Sequence, residues 1–228
     1  MIETDILISG GGVAGLTAAA AFGTAGFDVI CVDPAPPITE REAAGADMRT
    51  TAMLQPAREV LKTAGLWERL EPYAAPLKIM RIVDAGGAEG TPRLTRDFRA
   101  ADISDLPFGW NLPNWRLRRE MVALPDHEGM PCSAVVWMDD GPATVARMAL
   151  DAEAFEGEMS LRSCHLFGPL TLASNRTIWP IISQQAERLS GQRIALMAEA
   201  AHVVPPIGAQ GLNMSLSDLS TLLELALA

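Results

Sequence analysis

The chain has 228 residues, 49% of them apolar, and carries 18 basic against 28 acidic side chains for a formal net charge of −10. That is enough apolar material for one large or two small packed domains, and the acidic balance argues against a nucleic-acid partner, because phosphate backbones are bound by basic patches. Cys31, Cys132 and Cys164 are odd in number and widely spaced, which suggests neither a disulfide framework nor a metal site and points to a reducing, cytoplasmic setting and a small-molecule ligand.

Residues 6–27 carry no charge and could pass for a signal peptide or a spanning helix. Glu3 and Asp5 stand where a leader would be basic, however, and Gly10, Gly11 and Gly12 would break a spanning helix near its start. The run reads instead as a buried strand over 5–9, a glycine turn, an alanine-rich helix over 13–25 closed by Gly26, and a second strand over 27–32. Two apolar strands joined by one helix make a parallel βαβ unit. Further on, the spacing predicts an amphipathic helix over 55–64 ended by Gly65, a short continuation over 66–70, and a strand near 77–84 flanked by prolines and glycines. Strands are expected over 133–138 and 171–182, with a short helix over 151–159. A strand over 193–197, a Pro/Gly-rich loop and a leucine-periodic helix from Leu212 to Leu227 end the chain.

Three motifs carry chemistry. Gly10-Gly11-Gly12-Val13-Ala14-Gly15 is a GxGxxG between a strand and a helix, with Asp33 at the end of the next strand. Gly10 permits the tight turn, Gly12 lets backbone approach a pyrophosphate, Gly15 lets helix and strand pack closely, and Asp33 can accept ribose hydroxyls. The second motif is Ala198-Glu199-Ala200-Ala201-His202 followed by Pro205-Pro206-Ile207-Gly208-Ala209-Gln210-Gly211-Leu212-Asn213. The third is Asp47-Met48-Arg49-Thr50-Thr51-Ala52, whose arginine has the planar fork suited to phosphate, with Arg116, Arg118 and Arg119 in the helix-like stretch 111–124.

These motifs, with Ala64-Gly65-Leu66-Trp67 and Arg176-Thr177-Ile178-Trp179-Pro180, resemble the ubiquinone-biosynthesis FAD-dependent hydroxylases (UbiH-like) of the aromatic-ring monooxygenase superfamily, over most of the chain. The resemblance implies an α/β protein: a Rossmann-type FAD-binding domain over 1–75 and 185–228, and a mixed-sheet substrate domain over 76–184, incomplete here. It implies an FAD-dependent monooxygenase that uses NAD(P)H and oxygen to hydroxylate the ring of a prenylated phenol. FAD would be held by Gly10, Gly12, Val13, Ala14, Gly15, Asp33, Arg49 and Arg118, and by Glu199, Pro206, Gly208, Gln210, Gly211, Leu212 and Asn213. No side chain is required as a nucleophile, and His202 receives no chemical role. A peripheral attachment at the inner membrane or to a biosynthetic complex stays open.

The chain departs from the family pattern. Glu199 replaces the usual Asp, and Ala198 and Ala209 stand where glycine is common. Between Arg119 and His127 a long segment ending in Asp-Gly is expected, yet Leu124 runs directly into Pro125; a C-terminal region after the leucine-rich helix is missing too. A non-catalytic flavin-fold binding or assembly protein is therefore the alternative, and an NAD-dependent oxidoreductase the third reading.

Overall fold

The computed structural model describes residues 3–86, 91–122, 138–166, 168–172 and 175–228. In chain order its elements are β1 (Ile6–Ser9), α1 (Val13–Thr24), β2 (Val29–Val32), β3 (Thr50–Leu54), α2 (Gln55–Thr63), α3 (Trp67–Leu70), β4 (Ala75–Leu77), β5 (Ile79–Asp84), β6 (Leu94–Arg99), β7 (Gly109–Pro113), α4 (Asn114–Val122), α5 (Gly141–Met148), α6 (Ala152–Arg162), β8 (Gln184–Gln185), β9 (Ser190–Gly191), β10 (Ile194–Ala195), β11 (His202–Val203) and α7 (Gln210–Leu227). They fall into two compact units: one of Met1–Leu77, Leu106–Gly129 and Ile181–Ala228, the other of Lys78–Asp105 and Met130–Pro180.

In the first unit β1 and β2 pair in parallel, Ile6 opposite Val29 through Ser9 opposite Val32, with α1 between them in sequence. The second strand starts later than expected because the Phe27 N–H donates to the Phe22 carbonyl and the Gly26 N–H to Gly23, closing α1 in a Schellman turn with Gly26 at φ +97°. Gly65, at φ +68°, closes α2 in the same way through Leu66 to Leu61 and its own N–H to Lys62. A second sheet, antiparallel in the order β3-β7-β4, faces a core in which Met53, Leu61, Trp67, Leu70, Leu112, Leu117, Leu216 and Leu219 are fully buried. Helix α1 packs on α4 and α7, and α2 packs on α7, so one apolar cluster joins the glycine turn's helix to the C-terminal helix. The Trp67 and Trp110 rings meet edge to face at 5.3 Å, and the Arg58 guanidinium stacks against both, 5.0 and 4.8 Å from their centroids.

The second unit contains the antiparallel β5–β6 hairpin and the helices α5 and α6, capped by Asp140 and Asp151, whose carboxylates accept the Ala143 and Ala154 N–H groups at 2.8 Å.

Several expectations are corrected. Helix α4 starts at Asn114 rather than residue 111, because Asn111 and Leu112 pair with Ala52 and Thr51 of β3 and Leu112 is buried in that sheet. The described residues of 171–182 form no strand: Pro180 offers no N–H to a ladder, and Arg176 instead donates to the Arg147 and Leu150 carbonyls at 3.2 and 2.9 Å, closing the end of α5, with Phe155 beneath its guanidinium. The strand over 193–197 shrinks to β10, because Arg193 at φ +61° turns the chain back and Ile194–Ala195 pair only with β9. The strand expected over 133–138 lies outside the described residues except for Met138, which is not in a strand. Strand β3 and helix α5 were not anticipated. Among the described residues no helix is long and apolar enough to cross a membrane.

Candidate functional site

The segments of the three chemistry-bearing motifs belong to the first unit, whereas Arg176–Pro180 belongs to the second. Gly10 takes φ +119° and turns the chain out of β1; its N–H donates to Val32 at 2.7 Å. Gly12 is the N-cap of α1 and supplies no side-chain cap, so Val13, Ala14 and Gly15 open a helix whose first-turn N–H groups face outward unopposed by a capping side chain. A Cβ on Gly12 would meet nothing within 4 Å, whereas one on Gly15 would lie 1.9 Å from the Gly10 carbonyl oxygen. Gly15 is therefore demanded by packing, and Gly12 by no neighbour among the described residues. That is the division a pyrophosphate cradle requires: open backbone at the helix end and a pinched turn beneath it.

Asp33, one residue beyond β2, turns back on this loop. Its Oδ2 accepts the Gly11 N–H at 2.6 Å and its Oδ1 the Ala35 N–H at 3.0 Å. The Ala35 and Gly11 amides and the charge of Arg118 hold this carboxyl below its ordinary range. Asp33 thus stays ionised as an acceptor beside the turn.

The third motif forms a hydrogen-bonded knot. Asp47 receives Arg49 in a bidentate fork, Nε to Oδ1 at 2.8 Å and Nη2 to Oδ2 at 2.7 Å. Asn114 Nδ2 donates to the same Oδ2 at 3.0 Å, Arg118 Nη2 stands 3.8 Å from it, and Asn114 Oδ1 accepts the Thr51 hydroxyl at 2.6 Å. The Asp47 side chain is only 11% exposed while Arg49 is 52% exposed. Burial pushes the Asp47 carboxyl up, but the hydrogen bonds from Arg49 and Asn114 and the Arg49 charge outweigh it and hold it at about 2. The fork and the Asp47 charge raise Arg49 in turn, with a further contribution from the charge of Glu199, so the second motif approaches the third at this point.

Because Asp47 titrates lower in the folded than in the unfolded chain, the folded state binds fewer protons there. This contribution is complete above about pH 4 and is lost as pH falls toward 2. Asp47→Asn is expected to remove roughly 2 kcal/mol at pH 7, and the gap between wild type and variant in urea midpoint should close as pH is lowered from 4 to 2.

The second motif is placed less simply. Glu199 is exposed in a three-ten turn over Ala198–Ala200, Pro206 is exposed, and Gly208 takes φ +65°. Gln210 and Gly211 open α7 on the surface, and Leu212 packs on the core. Asn213, expected at the cofactor, has its amide engaged elsewhere: Nδ2 donates to Ala52 and Ala209 at 2.7 and 2.6 Å, and Oδ1 accepts the Leu54 N–H at 2.9 Å, clamping β3 to α7. His202 Nε2 lies 2.7 Å from Asp218 Oδ2 and ties β11 to the same helix.

Two alanines of this motif sit in backbone that favours glycine. Ala198 and Ala209 both adopt left-handed backbone at φ +56°. A side chain there costs about 1–2 kcal/mol, and glycine's freedom in the unfolded chain returns about half of that. Ala198→Gly and Ala209→Gly should each stabilise the protein by roughly 0.5–1 kcal/mol in chemical denaturation; lower midpoints would contradict the left-handed assignment.

The sequence motif points to Arg49 and leaves Asp47, Asn114 and Thr51 without a role. An acid two residues before the arginine was a visible signal; the pairing with Asn114, 67 residues away, was not.

Among known proteins, the ubiquinone hydroxylase UbiL of Rhodospirillum rubrum is 25% identical to this chain, covering 96% of it and 71% of the relative. That alignment runs over 307 positions although this chain has 228 residues, so the relative carries aligned stretches with no counterpart here. Two crystal structures of Pseudomonas aeruginosa PqsL share the fold: one described as a probable FAD-dependent monooxygenase, at TM-score 0.64 and 18% identity over 98% of this chain and 86% of that one, and a complex with 2-aminobenzoylacetate, at TM-score 0.67 and 17% identity over 98% and 87%. The model of the FAD binding domain family matches residues 3–133 and 162–228, and with the open helix end at Gly12, the acid at Asp33 and the arginines beside them, the chain belongs to that family.

Proposed function

We propose that this FAD-dependent monooxygenase hydroxylates the ring of an apolar phenol, of the prenylated kind used in ubiquinone biosynthesis, with NAD(P)H as reductant. Ring, oxygen, NAD(P)H and a proton give hydroxylated ring, NAD(P)+ and water. The observation that carries the cofactor half is the convergence, in one compact unit, of the unobstructed α1 terminus at Gly12, the ionised Asp33 and the arginines Arg49 and Arg118. The substrate half is supported by the relationship to a ubiquinone hydroxylase.

In this reading the first unit is a Rossmann-type cofactor domain and the second unit is the substrate side. The N–H groups of Gly12, Val13 and Ala14 bind the diphosphate, favoured by the positive end of the helix dipole. Asp33 accepts the ribose hydroxyls with lone pairs left over from Gly11 and Ala35, and the arginines neutralise phosphate charge. Glu199 binds the ribityl chain, and the Gly208–Gly211 turn lies at the ring end. Bound FAD would supply the reduction of oxygen and its transfer, chemistry that no side chain here provides.

The stretches of the relative without counterpart in this chain favour a second reading, a flavin-fold protein that binds without turning over. One experiment separates the two. The full chain is purified with FAD, its visible absorbance is recorded, and NAD(P)H consumption, peroxide release and hydroxylated product are measured with a short-chain prenylphenol. Product matching NAD(P)H supports the hydroxylase; bound flavin without NAD(P)H oxidation supports the second reading; no flavin at all overturns both. Glu199→Gln should weaken flavin by about 1–3 kcal/mol if it holds a ribityl hydroxyl.

A further inference from the structure

We propose that Asp47 is a positioning residue for the cofactor: it fixes the Arg49 guanidinium in the orientation from which it meets an anionic diphosphate. The inference rests on the FAD reading above and adds a residue to which that reading gives no role.

An exposed arginine on a surface strand has several rotatable bonds, and ordering it on a ligand costs side-chain entropy, up to about 2 kcal/mol. Here that ordering is done in advance. The Nε and Nη2 edge of Arg49 is engaged by both oxygens of Asp47, while half of the side chain remains exposed. Asp47 is itself immobilised: Asn114 donates to Oδ2, and Asn114 is held by the Thr51 hydroxyl and by its own N–H on the Arg49 carbonyl at 2.8 Å. The Trp115 N–H on the Asp47 carbonyl at 3.2 Å closes the knot, so the end of β7 and the start of α4 lock the segment that carries the arginine.

The carboxylate also carries a cost that a merely ornamental acid would not justify. A negative charge at Asp47 repels a diphosphate brought to Arg49, so simple electrostatics predicts that neutralising it tightens FAD binding. Positioning predicts the opposite. The two are decided by sign, and a purely structural role is separated from positioning by coupling: if Asp47 acts through Arg49, its removal has no effect once Arg49 is gone.

The test is a double-mutant cycle on the full chain, with FAD affinity read by quenching of flavin fluorescence and the melting temperature of each flavin-free variant recorded alongside. D47N is expected to weaken FAD about tenfold and R49A more than that, while D47N added to R49A changes the affinity less than threefold. N114A, which frees Asp47 without removing its charge, should weaken FAD severalfold and lose its effect in the R49A background too; it carries the test if D47N does not fold. Tighter binding by D47N, or effects that multiply independently in the double variant, overturn the proposal while leaving the FAD reading intact. A wild-type chain that binds no FAD overturns both.

Discussion

Gly12→Val is expected to reduce flavin affinity by at least about 100-fold while leaving the flavin-free fold in place, because the branched side chain would occupy the space where backbone must meet pyrophosphate. Gly12 sits at φ −71° and ψ 179°, a conformation that valine adopts readily, and its Cβ would meet nothing within 4 Å. The apo protein should lose only about 1 kcal/mol, for a poorer helix cap. Gly15→Ala behaves in reverse. A Cβ 1.9 Å from the Gly10 carbonyl oxygen cannot be accommodated without moving the backbone of the turn, so this single methyl should cost roughly 3 kcal/mol or more even without flavin. Apo-protein urea titrations beside flavin titrations test both. A Gly12→Val protein that retains stoichiometric flavin would remove the cradle from α1, and an unperturbed Gly15→Ala midpoint would show that the strand-to-helix crossing is looser than its geometry.

Asn213→Leu is expected to destabilise the apo protein by roughly 2–4 kcal/mol, since it strips partners from three half-buried backbone groups at once. The Leu54 N–H loses its acceptor, and the Ala52 and Ala209 carbonyls lose their donor. Asn213→Asp should be worse than a neutral replacement of equal size, because it sets a charge against two carbonyl oxygens at 2.6 and 2.7 Å. Loss of flavin in these variants would then follow from the loosened β3–α7 junction and not from a lost cofactor contact. Unchanged apo midpoints would instead return Asn213 to the ligand.

Taken together, the paired glycine variants and the Asn213 series separate residues that shape the cradle from residues that would touch its contents. Gly15 and Asn213 belong to the first group by geometry. Gly12, Asp33 and Arg49 remain candidates for the second, and Asp47 stands between the groups as the acid that sets the arginine.

What the sequence determined by itself was local. The β1–α1–β2 unit, the closures of α1 and α2 at Gly26 and Gly65, and the terminal helix α7 follow from short-range periodicity and from backbone angles that glycine adopts without cost. The glycine turn was legible for the same reason, since its residues act on neighbours within a few positions. Tertiary structure decided what depends on distant partners. Strand β3 exists because β7, about 60 residues later, supplies its ladder, and the residues 111–113 leave the helix for that ladder. Arg176 closes a helix because the α5 carbonyls are brought to it, and Asn213 serves as a clamp because α7 docks on the edge of β3. The Asp47 knot joins residues 47, 49, 51, 114 and 118, and only the docking of α4 beside β3 brings the later two to the acid. A motif can announce which residue types a cofactor needs; hydrogen bonds between segments far apart in the chain decide which of them are held still, because each such bond exists only after both segments have folded.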